Sequence, residues 1–282
     1  MKLKLSFLLS VVALALSACA PSSDFSSFDL ENSSGIINGE KITERTTKAA
    51  RSVVLLEFYN GVGSTISICS GTLISERSVL TAAHCLDKTK NPNIAGFRIN
   101  FTNKKNALGV SMGEKRIGTV FVGHPDYKMT KISIHNDIAI AFFSGGIPAG
   151  YNTMAYDSDI YANHGNKTVY VYGYGKTKEH GKGIVTGGAG TLHRGVIKLA
   201  DNWNAAPDRY FTSPKDNKSF ICSGDSGGPQ FLDENGSVKV IGVVSGVVGQ
   251  YSWNGKVKCI STSMAAKVGV FSPWIAEQHR LH

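Results

Sequence analysis

Charge and proline are both scarce in this chain. Charged residues make up 18% of the 282 positions and prolines number eight, which argues against a disordered or linker-like polypeptide. Beyond residues 5–16 there is no long apolar run, and even that one falls short of the ~20 residues a membrane-spanning helix needs. Acidic groups are the minority sign, 21 against 30 lysines and arginines for a net charge of +9. The basic residues are scattered, with no basic helix or aromatic-basic module, so no nucleic-acid partner is expected. Cysteine is sparse and odd in number at five, so the set cannot pair completely within the chain.

What is plentiful points to a folded, turn-rich β protein: 42% hydrophobic residues and 31 glycines. Short β-like segments at 52–58, 69–74, 78–80, 117–122, 137–143, 167–175, 191–200 and 238–245 alternate with turn residues, without helical periodicity. Asn235-Gly236 between apolar runs is a hairpin signal. Residues 86–116 read as a basic loop region. There Glu114 stands almost alone among Lys88, Lys90, Lys104, Lys105 and Lys115. Hard cations need several oxygen ligands, and no histidine-cysteine spacing suits zinc; no metal or cofactor is expected.

One run resists explanation by packing. Cys222-Ser223-Gly224-Asp225-Ser226-Gly227-Gly228-Pro229 places three glycines around an Asp-Ser pair, between Phe220-Ile221 and Phe231-Leu232. A tight turn needs no serine. Glycine lets backbone N–H groups approach a ligand closely, so the amides of Gly224 and Ser226 could share one oxyanion beside the Ser226 hydroxyl. A serine hydroxyl is inert at neutral pH and requires a histidine base oriented by an acid. Thr81-Ala82-Ala83-His84-Cys85 supplies the histidine, and Asn136-Asp137-Ile138-Ala139-Ile140 the aspartate. His124, His135, His164, His180, His193, His279 and His282 have no comparable setting, and His135 reads as surface.

The order His84, Asp137, Ser226 is that of the chymotrypsin arrangement, and with these motifs the chain resembles the trypsin/chymotrypsin family of serine proteases from Ile36 to Trp274. The resemblance implies an all-β fold of two six-stranded antiparallel barrels with a short C-terminal helix over residues 271–281, the triad at their junction and residues 145–166 crossing between them. It implies a serine endopeptidase acting on protein or peptide substrates through an acyl-enzyme. Cysteines at these positions in the family bridge Cys69 to Cys85 and Cys222 to Cys259, which requires an oxidising compartment. Ser245 matches the serine that backs the aspartate and presents substrate as an extra strand. Ile36-Ile37-Asn38-Gly39 resembles the mature N-terminus, whose ammonium pairs with the residue corresponding to Asp225. Gly35 precedes that bond in place of Arg or Lys, so a processing protease other than a trypsin-like one is required. Counting from these anchors places Phe220, Ile221, Val247 and Ser263 around the specificity pocket. An apolar base cannot hold a guanidinium without an unpaired charge, so cleavage after small or medium apolar side chains is expected.

Residues 1–18 carry Lys2 and Lys4 ahead of an apolar stretch, the pattern of a signal peptide. Leu16-Ser17-Ala18-Cys19 resembles the bacterial lipobox, which implies a lipid on Cys19 and an envelope location. Residues 19–35, polar and serine-rich, read as a tether or propeptide, and 36–282 as the protease domain, expected to be monomeric and to touch a membrane only through that lipid. An anchored zymogen and a soluble active form follow if both processing steps occur. Two other readings remain. Gly224-Asp225-Ser226-Gly227-Gly228 satisfies the G-x-S-x-G pattern of α/β-hydrolases, but that fold needs its acid and base after the serine, where only His279 and His282 stand. The rival from another class is a catalytically silent, protease-like binding module.

Overall fold

The computed structural model describes residues 36–282 except 105, 107–109, 131–132, 181–183, 188, 202–205, 213–214 and 249–257. The signal peptide, Cys19 and the tether lie outside the described residues.

The first half of the chain closes a six-stranded antiparallel barrel in the order β2 (Val53–Tyr59), β3 (Thr65–Ser75), β4 (Ser78–Thr81), β9 (Ala139–Phe143), β6 (Glu114–Gly123), β5 (Gly96–Phe101), and back to β2. Central strands buried on both sides carry continuous apolar sequence, as in Val53-Val54-Leu55-Leu56 and Ala139-Ile140-Ala141-Phe142-Phe143. The loop-rich reading of 86–116 is corrected here: β5 and the start of β6 fall within it. Phe97, Ile99 and Phe101 are buried in β5 while Arg98 between them pairs with Glu57 on β2; the alternation is present, but the lysines and polar residues around it set the loop reading.

The second half forms a seven-stranded sheet, β1 (Glu40–Lys41), β13 (His193–Lys198), β10 (Thr168–Gly173), β15 (Pro229–Glu234), β16 (Ser237–Val248), β17 (Thr262–Lys267) and β14 (Arg209–Phe211). Six of these make the second barrel, which the Leu199–Thr212 bridge closes between the outer strands. The added β1 comes from the segment after Ile36 and pairs with β13. Asn235 and Gly236 both take positive φ, 56° and 83°, in the β15–β16 turn, as a two-residue hairpin requires. Small hairpins β7 (Lys128–Met129) with β8 (Ile134–His135), and β11 (Lys178–His180) with β12 (Ile184–Thr186), sit outside the barrels. The terminal helix α2 (Val268–Leu281) begins three residues before its expected start, and a five-residue helix α1 (Lys48–Ser52), capped by Thr47, precedes β2.

Candidate active site

His84 follows β4 on a single 3₁₀ turn, Ala83–Leu86, and the Cys69–Cys85 disulfide ties that turn to β3. Asp137 is 2% exposed. It is reached through Asn136, whose φ of 50° turns the chain before β9. His84 Nδ1–H donates to Asp137 Oδ2 at 2.7 Å, and the His84 backbone N–H to Oδ1 at 2.9 Å. The Ser245 hydroxyl donates to the same Oδ2. Burial pushes the Asp137 carboxyl up, but His84 and Ser245 outweigh it and its pKa lies below the usual value. Burial likewise works against the His84 cation, and Asp137 reverses the balance, raising the imidazole pKa. With Nδ1 committed as a donor, Nε2 is left as the basic atom.

The nucleophile turn is stitched between the barrels. Ser70 N–H donates to Ser226 O at 2.7 Å, Gly227 N–H to Val244 O at 2.7 Å and Val244 N–H to Gly228 O at 2.8 Å. Gly224 and Gly227 have φ of 100° and 79°, where other residues are strained. A Cβ at Gly227 would lie 2.1 Å from Thr81 Oγ1 and 3.0 Å from Ala82 N. Gly227, the residue after Ser226, is thereby packed against the stretch leading into His84. Among the described residues the Gly224 and Ser226 amides donate to no protein acceptor, and the Ser226 hydroxyl makes no hydrogen bond. The Ser226–His84 link, unlike the His84–Asp137 link, is therefore open in this structure.

Asp225 points the opposite way and is fully buried. Its carboxylate accepts from Gly175 N–H and Cys222 N–H, both at 2.8 Å. A Cβ on Gly173 would lie 2.1 Å from Asp225 Oδ1, and one on Gly175 2.5 Å from Cγ, which explains the Gly173-Tyr174-Gly175 sequence. Burial raises the Asp225 pKa to about 7, the two amides offsetting it in part. Ile36 is also fully buried, with Val169, Val171, Ile197 and Ile221. No hydrogen bond joins Ile36 to Asp225 among the described residues.

The residues counted to the specificity pocket part company. Phe220 pairs with Ile37 and packs on the Cys222–Cys259 disulfide. Ile221 turns into the second barrel core, with Val247 partly buried against it. Ser263 Oγ shares a 2.7 Å hydrogen bond with Thr212 Oγ1, and the Ser245 hydroxyl is taken by Asp137. The one cluster with metal-ligand spacing among the described residues is Cys69, His84 and Cys85. Its sulfurs are joined in a disulfide and its Nδ1 faces Asp137, so it offers no thiolate or free imidazole nitrogen on that side.

Sequence reading missed Ser70, which no motif marks beyond its place after Cys69. It also missed the group behind Asp137. His135 is 47% exposed at its side chain and lies 3.6 Å from Asp208 Oδ2. Arg209 donates to His135, to Ile134 O and to Asp208. Asp208 and Arg209 are far from Asp137 in sequence, and only the β14–β17 pairing brings them there.

Two antiparallel β units, an oriented histidine and a glycine-framed serine at their junction define a trypsin-like serine protease. The trypsin family model matches residues 40–275, and the chain belongs to that family as a serine endopeptidase. It is 27% identical over 228 residues to human chymotrypsin-like elastase family member 1, covering 76% of this chain and 82% of the relative. The Macaca fascicularis protein of the same name is 26% identical over 261 residues, 87% and 91% of the two chains. CLIP domain-containing serine protease B15 of Anopheles gambiae is 30% identical over 219 residues, 72% of this chain and 60% of that one. Protein or peptide substrates follow from the family, and the two disulfides fit an exported or extracellular protein.

Proposed function

We propose that the chain cleaves peptide bonds with Ser226 as nucleophile, His84 as general base and Asp137 as the group that orients and stabilises the imidazolium. The carrying observation is the bond from His84 Nδ1 to the buried Asp137, with Ser245 behind it. On substrate binding, Ser226 Oγ forms a bond to the carbonyl carbon while its proton passes to His84 Nε2. The amides of Gly224 and Ser226 receive the negative oxygen, each such donor contributing ~10²–10³ in rate. His84 then protonates the leaving amine, and water releases the acyl group by the same steps in reverse.

The apolar surroundings of Phe220, and relatives named as elastases, support preference for small or apolar side chains before the scissile bond. Cleavage before Ile36 would free an ammonium for Asp225, whose buried carboxylate has only amide partners among the described residues. The lipobox-like segment supports export as a lipoprotein at Cys19, with the active domain released by that second cut.

The test is labelling by a fluorophosphonate probe. Full-length and processed protein are compared with Ser226→Ala, followed by a peptide-library cleavage profile. Labelling of the processed form that is lost in Ser226→Ala is the expected result. Equal labelling of the variant, or none of the processed protein, identifies a silent binding module, and cleavage after Arg or Lys overturns the specificity.

A further inference from the structure

We propose that Ser70 is a positioning residue for the oxyanion hole, held in register by Tyr174 and Arg45. Ser70 is fully buried on β3, and each of its polar groups serves the active-site neighbourhood. Its N–H donates to Ser226 O at 2.7 Å. Its carbonyl accepts from Thr81 Oγ1 at 2.9 Å, three residues before His84. Its hydroxyl accepts from Tyr174 N–H at 2.9 Å and donates to Gly224 O at 2.9 Å.

The last contact bears on the chemistry. Gly224 sits at φ 100°, next to Gly175, in a region from which glycine can rotate with little penalty. A glycine free to rotate would not hold its own N–H toward a fixed point, and preorganisation is what gives an oxyanion donor its value. The Ser70 hydroxyl fixes the Gly224 carbonyl and so restrains the backbone that carries the N–H.

Ser70 is itself oriented from behind. Tyr174 is fully buried; its hydroxyl donates to Thr102 O at 2.6 Å and accepts from Arg45 Nη2 at 2.5 Å. The Arg45 guanidinium also donates to Ala50 O, Val53 O, Thr102 O and the Asn103 side chain, and lies 4.5 Å over the Tyr151 ring. All five of its N–H groups are thus engaged. Tyr174 therefore hangs from the first barrel at its ring, while its backbone holds Ser70 and its neighbour Gly175 holds Asp225. One polar chain runs from the segment after Ile36 to the oxyanion turn.

The inference rests on the oxyanion and nucleophile roles proposed above, and the experiment separates the two. Full-length chain, processed as in its own cells, is prepared as wild type, Ser226→Ala, Ser70→Ala and Tyr174→Phe. Kinetics use the best anilide from the library profile, with kcat expressed per site titrated by the fluorophosphonate, so that unfolded molecules do not count. In Ser70→Ala, kcat is expected to fall about tenfold with KM within about twofold. Affinity for a peptide aldehyde, which binds as a tetrahedral adduct, falls in parallel, while affinity for the matching peptide alcohol holds. Tyr174→Phe shows the same pattern more weakly. Unchanged kcat and aldehyde affinity with only a lower melting temperature makes Ser70 structural and overturns the inference alone. Labelling that survives Ser226→Ala, or is missing in wild type, overturns the site reading and this inference with it.

Discussion

Asp225 gives the sharpest physical prediction, because it is buried without a cationic partner among the described residues. Raising a carboxyl from 3.8 to about 7 corresponds to a free-energy difference of about 4 kcal/mol. Between those values the folded chain holds a proton that the unfolded chain has released, so stability falls as pH rises through the window and levels off above pH 7. His193 opposes it: burial lowers its pKa from 6.5 to about 4, and that contribution is lost as pH falls from 6.5 toward 4. A single pH curve therefore mixes two slopes of opposite sign. The difference between wild type and Asp225→Asn isolates the first, since the amide keeps the shape and does not titrate. Denaturant unfolding of the uncleaved chain, with disulfides intact, measures that difference at half-unit steps from pH 4 to 8. Relative to the Asn variant, wild type is expected to lose about 4 kcal/mol across the range. In protein beginning at Ile36 the dependence should collapse, because an ammonium beside the carboxylate keeps it charged. A difference that is flat with pH in the uncleaved chain refutes the reasoning.

Two further outcomes follow from the same geometry. Asp137→Asn leaves His84 Nδ1 without a carboxylate and should lower kcat by about 10⁴. The wild-type pH–rate profile should rise through a midpoint above 6.5, the ordinary imidazole value, and the variant's midpoint should move down. Gly227→Ala forces a side chain into the left-handed region and onto Thr81 Oγ1 and Ser70 O. A loss of about 3 kcal/mol is expected, read by denaturation, together with loss of probe labelling; near-wild-type stability would show that the two barrels can separate at this seam.

Much of the site was legible because its chemistry tolerates few residue types. Glycines crowd around Ser226, and a histidine stands among small residues beside a cysteine. Most strands were legible too, since a fully buried strand needs an apolar run. β5 was passed over although Phe97, Ile99 and Phe101 alternate with Arg98 and Asn100, because that short signal lies among lysines and turn residues that read as loop. The pocket read by counting fared unevenly. Position along the chain placed Phe220 beside the Cys222–Cys259 bond, but only packing could show Ile221 facing the barrel core.

The sequence by itself determined that this is a β-rich serine protease and singled out His84, Asp137 and Ser226 as the set proposed to react, because function restricts such positions more tightly than folding does. Tertiary structure decided how the set is supported. It turned the Ser70 hydroxyl to Gly224, hung Tyr174 from Arg45, closed Gly173 and Gly175 around Asp225, and gathered Asp208 and Arg209 behind Asp137. Each of these joins residues many positions apart through ordinary side chains, and a contact of that kind exists only once the barrels have closed.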